Sequence, residues 1–306
     1  MVYELAIIGA GPAGYSAAIY AVRAGIKTLV LDKIGGGGLA SYSPNIENYP
    51  GFESITGIDL MDKMQKHAQN YTKIHFMEEV NEISKNNDEF LIVTTNGKYT
   101  AKAILLCMGT EYRKLGVEGE KEFQGKGVSY CATCDGFFFK DKIVGVVGGG
   151  NTAVIEAIYL KQIGCKEVFI IHRRDQLRAE KAYEDEAKEK GVKIIYSTHV
   201  ESIKGKEKVD YLEVHDVNSN KTSQLIVDGV FISIGEEPQN TLAKQLGVNL
   251  DEKGYVIVDK GQRTNIKGVY AAGDITGGLR QVVTACAEGA IAALSSTEVL
   301  DKKYPY

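Results

Sequence analysis

Cys131 and Cys134 stand two residues apart in the run SYCATCDGFFFKDK, and Asp135 follows at once. Thiols at this spacing can ligate a metal, close a structural disulfide, or cycle between disulfide and dithiol. A zinc site needs four ligands, and no second C-x-x-C or paired histidine lies near. A structural disulfide is poorly suited to a chain read as cytoplasmic, where thiols are kept reduced. A redox pair, by contrast, needs an electron source beside it and a group that exchanges protons with sulfur. Asp135 can supply or accept that proton; it could equally cap a helix, and the two roles can coexist. The other cysteines, Cys107, Cys165 and Cys286, lie in apolar or helical surroundings and read as packed thiols.

The elements around the pair are those of two dinucleotide folds. In YELAIIGAGPAGYSAAIYAVRAGIKTLVLDK, Leu5 to Ile8 predicts a strand and Gly9, Gly11 and Gly14 form G-x-G-x-x-G. Ala13 to Ala24 predicts a helix stopped by Gly25, and Thr28 to Leu31 a second strand closed by Asp32. Gly9 allows the tight turn, Gly11 lets backbone approach a pyrophosphate, and Gly14 lets helix and strand pack closely. The helix N-terminus offers N–H groups to phosphate, and Asp32 can accept from a ribose 2′-hydroxyl, which suits FAD. The pattern recurs as a strand over Ile143 to Val147, a G-x-G-x-x-A turn (Gly148, Gly150, Ala153), a helix to about Ile163 and a strand over Val168 to Ile171. This copy ends in His172, Arg173 and Arg174, with Arg178 beyond. An arginine fork binds a 2′-phosphate that a carboxylate would repel, which suits NADPH over NADH.

A third landmark is GVYAAGDITGGLRQVVTACAEGAIAAL. Val269 to Ala272 predicts a strand ended by Gly273 and Asp274, with a long helix from about Gln281. Asp274 can reach a ribityl hydroxyl, and the helix start can face the flavin edge that gains charge on reduction. The expected fold is α/β, with two Rossmann-like dinucleotide-binding domains. An NADPH domain (114–237) carrying the cysteine pair is inserted into a discontinuous FAD domain (1–113 and 238–306). The links EYRKLGVEG and GEEPQN read as two crossing strands suited to a hinge.

The chain resembles the low-molecular-weight thioredoxin reductases of bacteria and archaea. The match runs nearly end to end through GAGPAG, IENYPGF, CATCDGFFF, GGGNTAV, HRRDQLRAEK, YAAGD and RQVVTACAEGAIAA. The resemblance implies a homodimer with non-covalent FAD, NADPH as donor, and thioredoxin or a thioredoxin-like protein as disulfide substrate. It implies that Cys134 faces the flavin, that Cys131 attacks the partner's disulfide, and that Asp135 is the acid. It places FAD against Gly9, Gly11, Pro12, Ala13, Gly14, Asp32, Lys33, Gly38, Leu39, Asn48, Val80, Gly109, Thr110, Gly273, Asp274, Arg280, Gln281 and Val282. It places NADPH against Gly148, Gly150, Asn151, Thr152, Ala153, His172, Arg173, Arg174, Arg178 and Gly235. One departure stands out. Many relatives carry Gly-Gly-Gln-Leu after the second strand, whereas this chain has IGGGGLASYSPNIENYPG, with glycine from 35 to 38 and no glutamine. Either a side-chain amide near the flavin is lost, or the run is a mobile loop without catalytic meaning.

Bulk composition is ordinary for a soluble globular protein. The 306 residues are 44% hydrophobic and 25% charged, and the net charge of -4 argues against nucleic acid. No apolar run is long enough for a membrane span, no signal peptide is expected, and five cysteines do not suggest a secreted framework. Two other readings are a flavin oxidase or carrier-protein reductase that does not use the pair, and a non-catalytic redox sensor. The charged run from Glu180 to Gly191 reads as a solvated helix face.

Overall fold

A computed structural model describes residues 2–43 and 45–304, so Pro44 of the glycine-rich segment lies outside the described residues. In chain order the elements begin with β1 (Val2–Ile8), α1 (Pro12–Arg23), β2 (Thr28–Leu31), α2 (Gly57–Gln69) and β3 (Ile74–His75). They continue with β4 (Val80–Asn86), β5 (Glu89–Thr94), β6 (Lys98–Leu106) and β7 (Thr110–Tyr112). Next come β8 (Val128–Ser129), α3 (Ala132–Asp135), β9 (Ile143–Gly148), α4 (Asn151–Gln162), β10 (Glu167–Ile171), α5 (Lys181–Glu189) and β11 (Lys193–Ile195). Then follow β12 (Thr198–Gly205), β13 (Val209–Asp216), β14 (Lys221–Ile226), β15 (Gly229–Ser233) and β16 (Glu236–Pro238). The chain closes with α6 (Thr241–Gln245), β17 (Val269–Ala271) and α7 (Val282–Ser295).

The chain divides into two compact units. The first takes the chain up to Ser41, Glu47–Glu111, and the stretch from Glu237 onward. Its sheet runs β3-β2-β1-β6-β5-β4, with β17 also on β6. β1 pairs in parallel with β2 and β6, whereas β4, β5 and β6 pair antiparallel. Leu5 to Ile8 and Leu29 to Leu31 are buried, as strands covered on both faces require. Helix α1 buries a face of Ala13, Gly14, Ala17, Ala18 and Ala21. These small residues admit α7 to close contact: a Cβ on Gly289 would sit 2.1 Å from the Ala13 carbonyl oxygen. Gly25, at φ +74, ends α1 where a left-handed residue is needed.

The second unit takes Tyr42–Ile46 and Tyr112–Glu236. Its parallel sheet runs β11-β10-β9-β15-β8, beside an antiparallel sheet β12-β13-β14. The small β7 and β16 pair with each other, so the two connecting segments form one two-stranded ribbon. Both units are Rossmann-like, and the fold is α/β. The charged segment from Glu180 forms the short helix α5 with a single buried side chain, Ala187. Among the described residues no helix is long and apolar enough to cross a membrane.

Candidate functional site

The cysteine pair follows the last short strand before α3. β8 pairs with β15 through Val128↔Val230 and Ser129↔Phe231, which fixes the backbone leading to the pair. Tyr130 is buried and stacks on Tyr112 with ring centroids 5.2 Å apart. Its hydroxyl donates to Glu120 Oε1 at 2.7 Å, and Lys114 Nζ lies 3.9 Å from its ring centre. Cys131 and Cys134 are joined in a disulfide, with Cα atoms 5.3 Å apart. Cys131 is the N-cap of α3, its Sγ accepting from the Cys134 N–H at 3.2 Å. One helical turn is the tie that brings residues three apart to disulfide distance.

Asp135 ends that turn, half-buried. Its Oδ2 accepts from the Ser129 hydroxyl at 2.6 Å, and its Oδ1 lies 3.2 Å from the Ser43 hydroxyl. Burial pushes its acidity toward higher pH, and the two hydroxyls pull it back by favouring the ionised form. Ser129 and Ser43 had no marker in the sequence: a serine beside C-x-x-C is unremarkable, and Ser43 is 92 residues from the acid it meets.

The first glycine turn lies between β1 and α1. A Cβ on Gly9 would sit 2.3 Å from the Cys107 carbonyl oxygen, and one on Gly14 would sit 1.9 Å from the Gly9 carbonyl oxygen. Gly11 meets nothing within 4 Å, so the space in front of the helix start is open to a phosphate. Pro12 opens α1 and Ala13 is buried behind it. Asp32 accepts from three backbone N–H groups: Ala10 at 2.8 Å, Ile34 at 2.9 Å and Gly36 at 3.1 Å. The acid therefore builds its own loop as well as standing at the ribose position. The glycine run is a defined turn: the Gly37 N–H donates to the Ala10 carbonyl at 2.7 Å, and Gly36, Gly37 and Gly38 all take positive φ. At Gly37 a Cβ would sit 2.1 Å from Ser41 Oγ, so a side chain is unwelcome there. Lys33 pairs with Glu111 at 2.8 Å, and Leu39 lies in the 3-10 turn Gly38–Tyr42.

Other predicted flavin residues fall into two groups. Asn48 Nδ2 donates to Gln281 Oε1 at 3.0 Å, which ties the ENYPG segment to the cap of α7 just before Val282. Beside it the Tyr49 hydroxyl meets the Cys286 thiol, which burial pushes up to about 11. Gly273, at φ +82, turns the chain after β17, and Asp274 follows. The Gly273 N–H donates to Glu288 Oε2 at 2.7 Å, and the Thr276 hydroxyl lies 3.3 Å from the same oxygen. Burial, with the Glu288 charge behind it, lifts Asp274 to about 6. Glu288 was missed, although a lone carboxylate on the alanine-rich α7 was a legible signal. The second group is more dispersed. Gly109 takes positive φ with open space before it, and Thr110 is buried in β7. Val80 opens β4 and packs half-buried on the core; Arg280 is exposed and donates to the Tyr255 hydroxyl at 3.1 Å.

The second turn repeats the first. A Cβ on Gly148 would sit 2.4 Å from the Ser233 carbonyl oxygen and 2.6 Å from the Ala153 Cβ, while Gly150 meets nothing within 4 Å. A Cβ on Gly149 would sit 2.2 Å from the His172 ring. His172 Nδ1 lies 2.9 Å from the Gly148 carbonyl oxygen, so that nitrogen carries the proton, and its Nε2 is buried without a partner among the described residues. Burial lowers its proton affinity and favours the neutral ring. The Gly149 carbonyl accepts from the N–H groups of Arg178 and Ala179, and Asn151 exchanges hydrogen bonds with Glu180. The arginine loop is thus strapped to the glycine turn, with Arg173, Arg174 and Arg178 exposed and Thr152 at the open helix start. Gly235 takes positive φ, and its carbonyl accepts from the Arg113 N–H. Open helix starts and an orphaned imidazole nitrogen fit two bound dinucleotides.

The family model for pyridine nucleotide-disulphide oxidoreductases matches residues 3–289. A thioredoxin reductase from Treponema pallidum (strain Nichols) is 41% identical, covering 98% of this chain and 97% of its own. One from Listeria innocua serovar 6a is 42% identical, covering 98% and 95%. The crystal structure of thioredoxin reductase from Streptococcus pyogenes superposes with a TM-score of 0.93 at 38% identity, covering 98% of each chain. The chain belongs to the thioredoxin reductase family of pyridine nucleotide-disulphide oxidoreductases. It is an oxidoreductase of the class that binds flavin and pyridine nucleotide, and its Cys131–Cys134 disulfide is consistent with the redox-active disulfide of that family.

Proposed function

We propose that the chain reduces thioredoxin or a thioredoxin-like protein, using NADPH as donor, FAD as carrier and Cys131–Cys134 as the exchanging disulfide. The observation that carries this reading is a formed disulfide beside a half-buried carboxylate, in a unit whose glycine turn ends in exposed arginines. FAD is assigned to 1–113 and 238–306, and NADPH to 114–237. Bound flavin would take a hydride from NADPH and return two electrons to the disulfide. Asp32 and Asp274 would hold hydroxyls of the flavin nucleotide, Asn48 and Gln281 would frame the start of α7, and the open helix starts would take the phosphates. Arg173, Arg174 and Arg178 would hold the 2′-phosphate, and His172 Nε2 would accept from the coenzyme.

Two electrons and two protons convert the disulfide to two thiols. Cys134 is assigned as the flavin-facing sulfur. Cys131, as thiolate, attacks the partner's disulfide; Cys134 then attacks the mixed disulfide and releases the reduced partner. Asp135 gives and takes the proton at sulfur. Phe137, two residues beyond Asp135 and 59% exposed, offers an apolar contact to a protein substrate. A homodimer and a cytoplasmic compartment are assigned on the family resemblance.

The test is an anaerobic mixture of the yellow protein with NADPH, followed by oxidised thioredoxin. Flavin absorbance should bleach and then recover. Cys134→Ser should bleach with NADPH and fail to reduce thioredoxin; thioredoxin reduction at the wild-type rate in that variant would refute the assignment.

A further inference from the structure

We propose that Ser129 is the positioning residue for proton transfer at the disulfide: its hydroxyl ties Asp135 Oδ2 to the backbone of Cys131, and Ser43 gives Oδ1 a second, releasable hold. The inference rests on the reading of Asp135 as the group that exchanges protons with the cysteine sulfurs.

Ser129 is 5% exposed and sits in β8, paired to β15, so its place is set by a sheet. Its Oγ has three polar neighbours: Asp135 Oδ2 at 2.6 Å, the Cys131 N–H at 3.1 Å and the Cys131 carbonyl oxygen at 3.4 Å. The N–H can only donate, so Oγ accepts from it. The single hydroxyl proton then goes to the carboxylate, which is both closer and charged. One atom thereby links the backbone of the attacking cysteine to the acid. Asp135 cannot rotate away while that link holds.

Ser43 differs. Its one proton has two acceptors, the Asn45 carbonyl oxygen at 2.8 Å and Asp135 Oδ1 at 3.2 Å. When Asp135 is ionised, the hydroxyl can serve Oδ1. When Oδ1 takes a proton, the Ser43 hydroxyl can turn wholly to Asn45 while Ser129 still donates to Oδ2. The geometry therefore assigns the mobile proton to Oδ1. No charged side chain among the described residues shifts Asp135; burial and the two serines are its influences, and the disulfide sulfurs do not titrate.

Ser129→Ala removes a donor that favours the carboxylate, so the inflection in the pH profile of thioredoxin reduction moves to higher pH, with turnover down roughly tenfold. Ser129→Thr, which keeps the hydroxyl, should restore both. In an Asp135→Asn background, Ser129→Ala should cost nothing further, and bleaching of the flavin by NADPH reports an intact fold throughout. An unmoved inflection, or the same loss in the Asp135→Asn background, would overturn the proposal as a merely structural role. If Ser129→Ala does not fold with flavin, Ser43→Ala carries the test: a smaller upward shift supports the proposal, and no shift overturns it. Thioredoxin reduction by Asp135→Asn at the wild-type rate would be a separate failure, removing the proton-transfer role itself.

Discussion

The two glycine turns share one plan and part company at the end of the second strand. In the first, Asp32 points back at its own chain and gathers the N–H groups of Ala10, Ile34 and Gly36. In the second, His172 turns inward on Gly148, while Arg173, Arg174 and Arg178 stand exposed, in no ion pair among the described residues. An acid that accepts three backbone hydrogen bonds has a structural role whether or not a ribose is present. Exposed guanidinium groups that form no ion pair among the described residues remain available to a ligand's charge. The difference teaches where to look for ligand specificity: in the second turn the charge is free to be spent on a phosphate, and in the first it is largely committed.

The largest test compares a glycine closed by backbone with one facing open space. Gly14→Ala places a methyl 1.9 Å from the Gly9 carbonyl oxygen, which cannot yield without opening the turn. A loss of about 3 kcal/mol of stability is expected, with the flavin lost on purification. Gly150→Ala meets nothing within 4 Å. Its stability should stay within about 0.5 kcal/mol of wild type, while KM for NADPH rises about tenfold as the methyl takes phosphate space. Thermal melts and flavin content check both. A Gly14→Ala protein that kept its flavin and its Tm would break the comparison.

The next pair separates ligand charge from structural charge. Arg173→Ala with Arg174→Ala should raise KM for NADPH far more than for NADH, each lost contact costing about 1.5–3 kcal/mol. Asp32→Asn should do the opposite, lowering stability by about 1–2 kcal/mol through its backbone partners and leaving the ratio of NADPH to NADH activity unchanged. Steady-state kinetics with both coenzymes decide. Equal effects of the arginine pair on the two coenzymes would end the phosphate argument.

Much of this was legible because it depends on local rules. Strand, glycine turn, helix and closing residue follow from apolar runs and from backbone positions that exclude Cβ, so β2 was placed residue for residue and the stops at Gly25 and Gly164 fall at positive φ. The fold class and the redox pair were readable for the same reason. What escaped depends on contacts between distant segments. Nothing local told that Ser43 meets Asp135, that the stretch Tyr42–Ile46 groups with the second unit, or that Glu288 pins Gly273. The glycine run left two readings, a lost side-chain amide near the flavin or a mobile loop without catalytic meaning. The N–H groups of Gly36 and Gly37 are bound to Asp32 and Ala10, and that pairing is tertiary information.

The smallest effect tests the first site from its other side. Asp274 titrates near 3.8 when unperturbed and at about 6 in the folded chain, because burial and Glu288 disfavour its charge. Between those values the folded protein keeps a proton that the unfolded chain releases. Stability of the flavin-free protein therefore falls as pH rises through that window and levels off above it. Asp274→Asn abolishes the charge at every pH. Flavin-free variant and wild type should melt together near pH 4, and the variant should be the more stable at pH 7 by about 1–2 kcal/mol, the full shift being discounted because the group is only half-buried. Flavin affinity should move the other way, falling where stability rises. An equal gap in Tm at both pH values would show that Asp274 acts through packing. The expected divergence would mark it as a charge held at a cost that bound ligand relieves, unlike Asp32, whose own backbone already satisfies it.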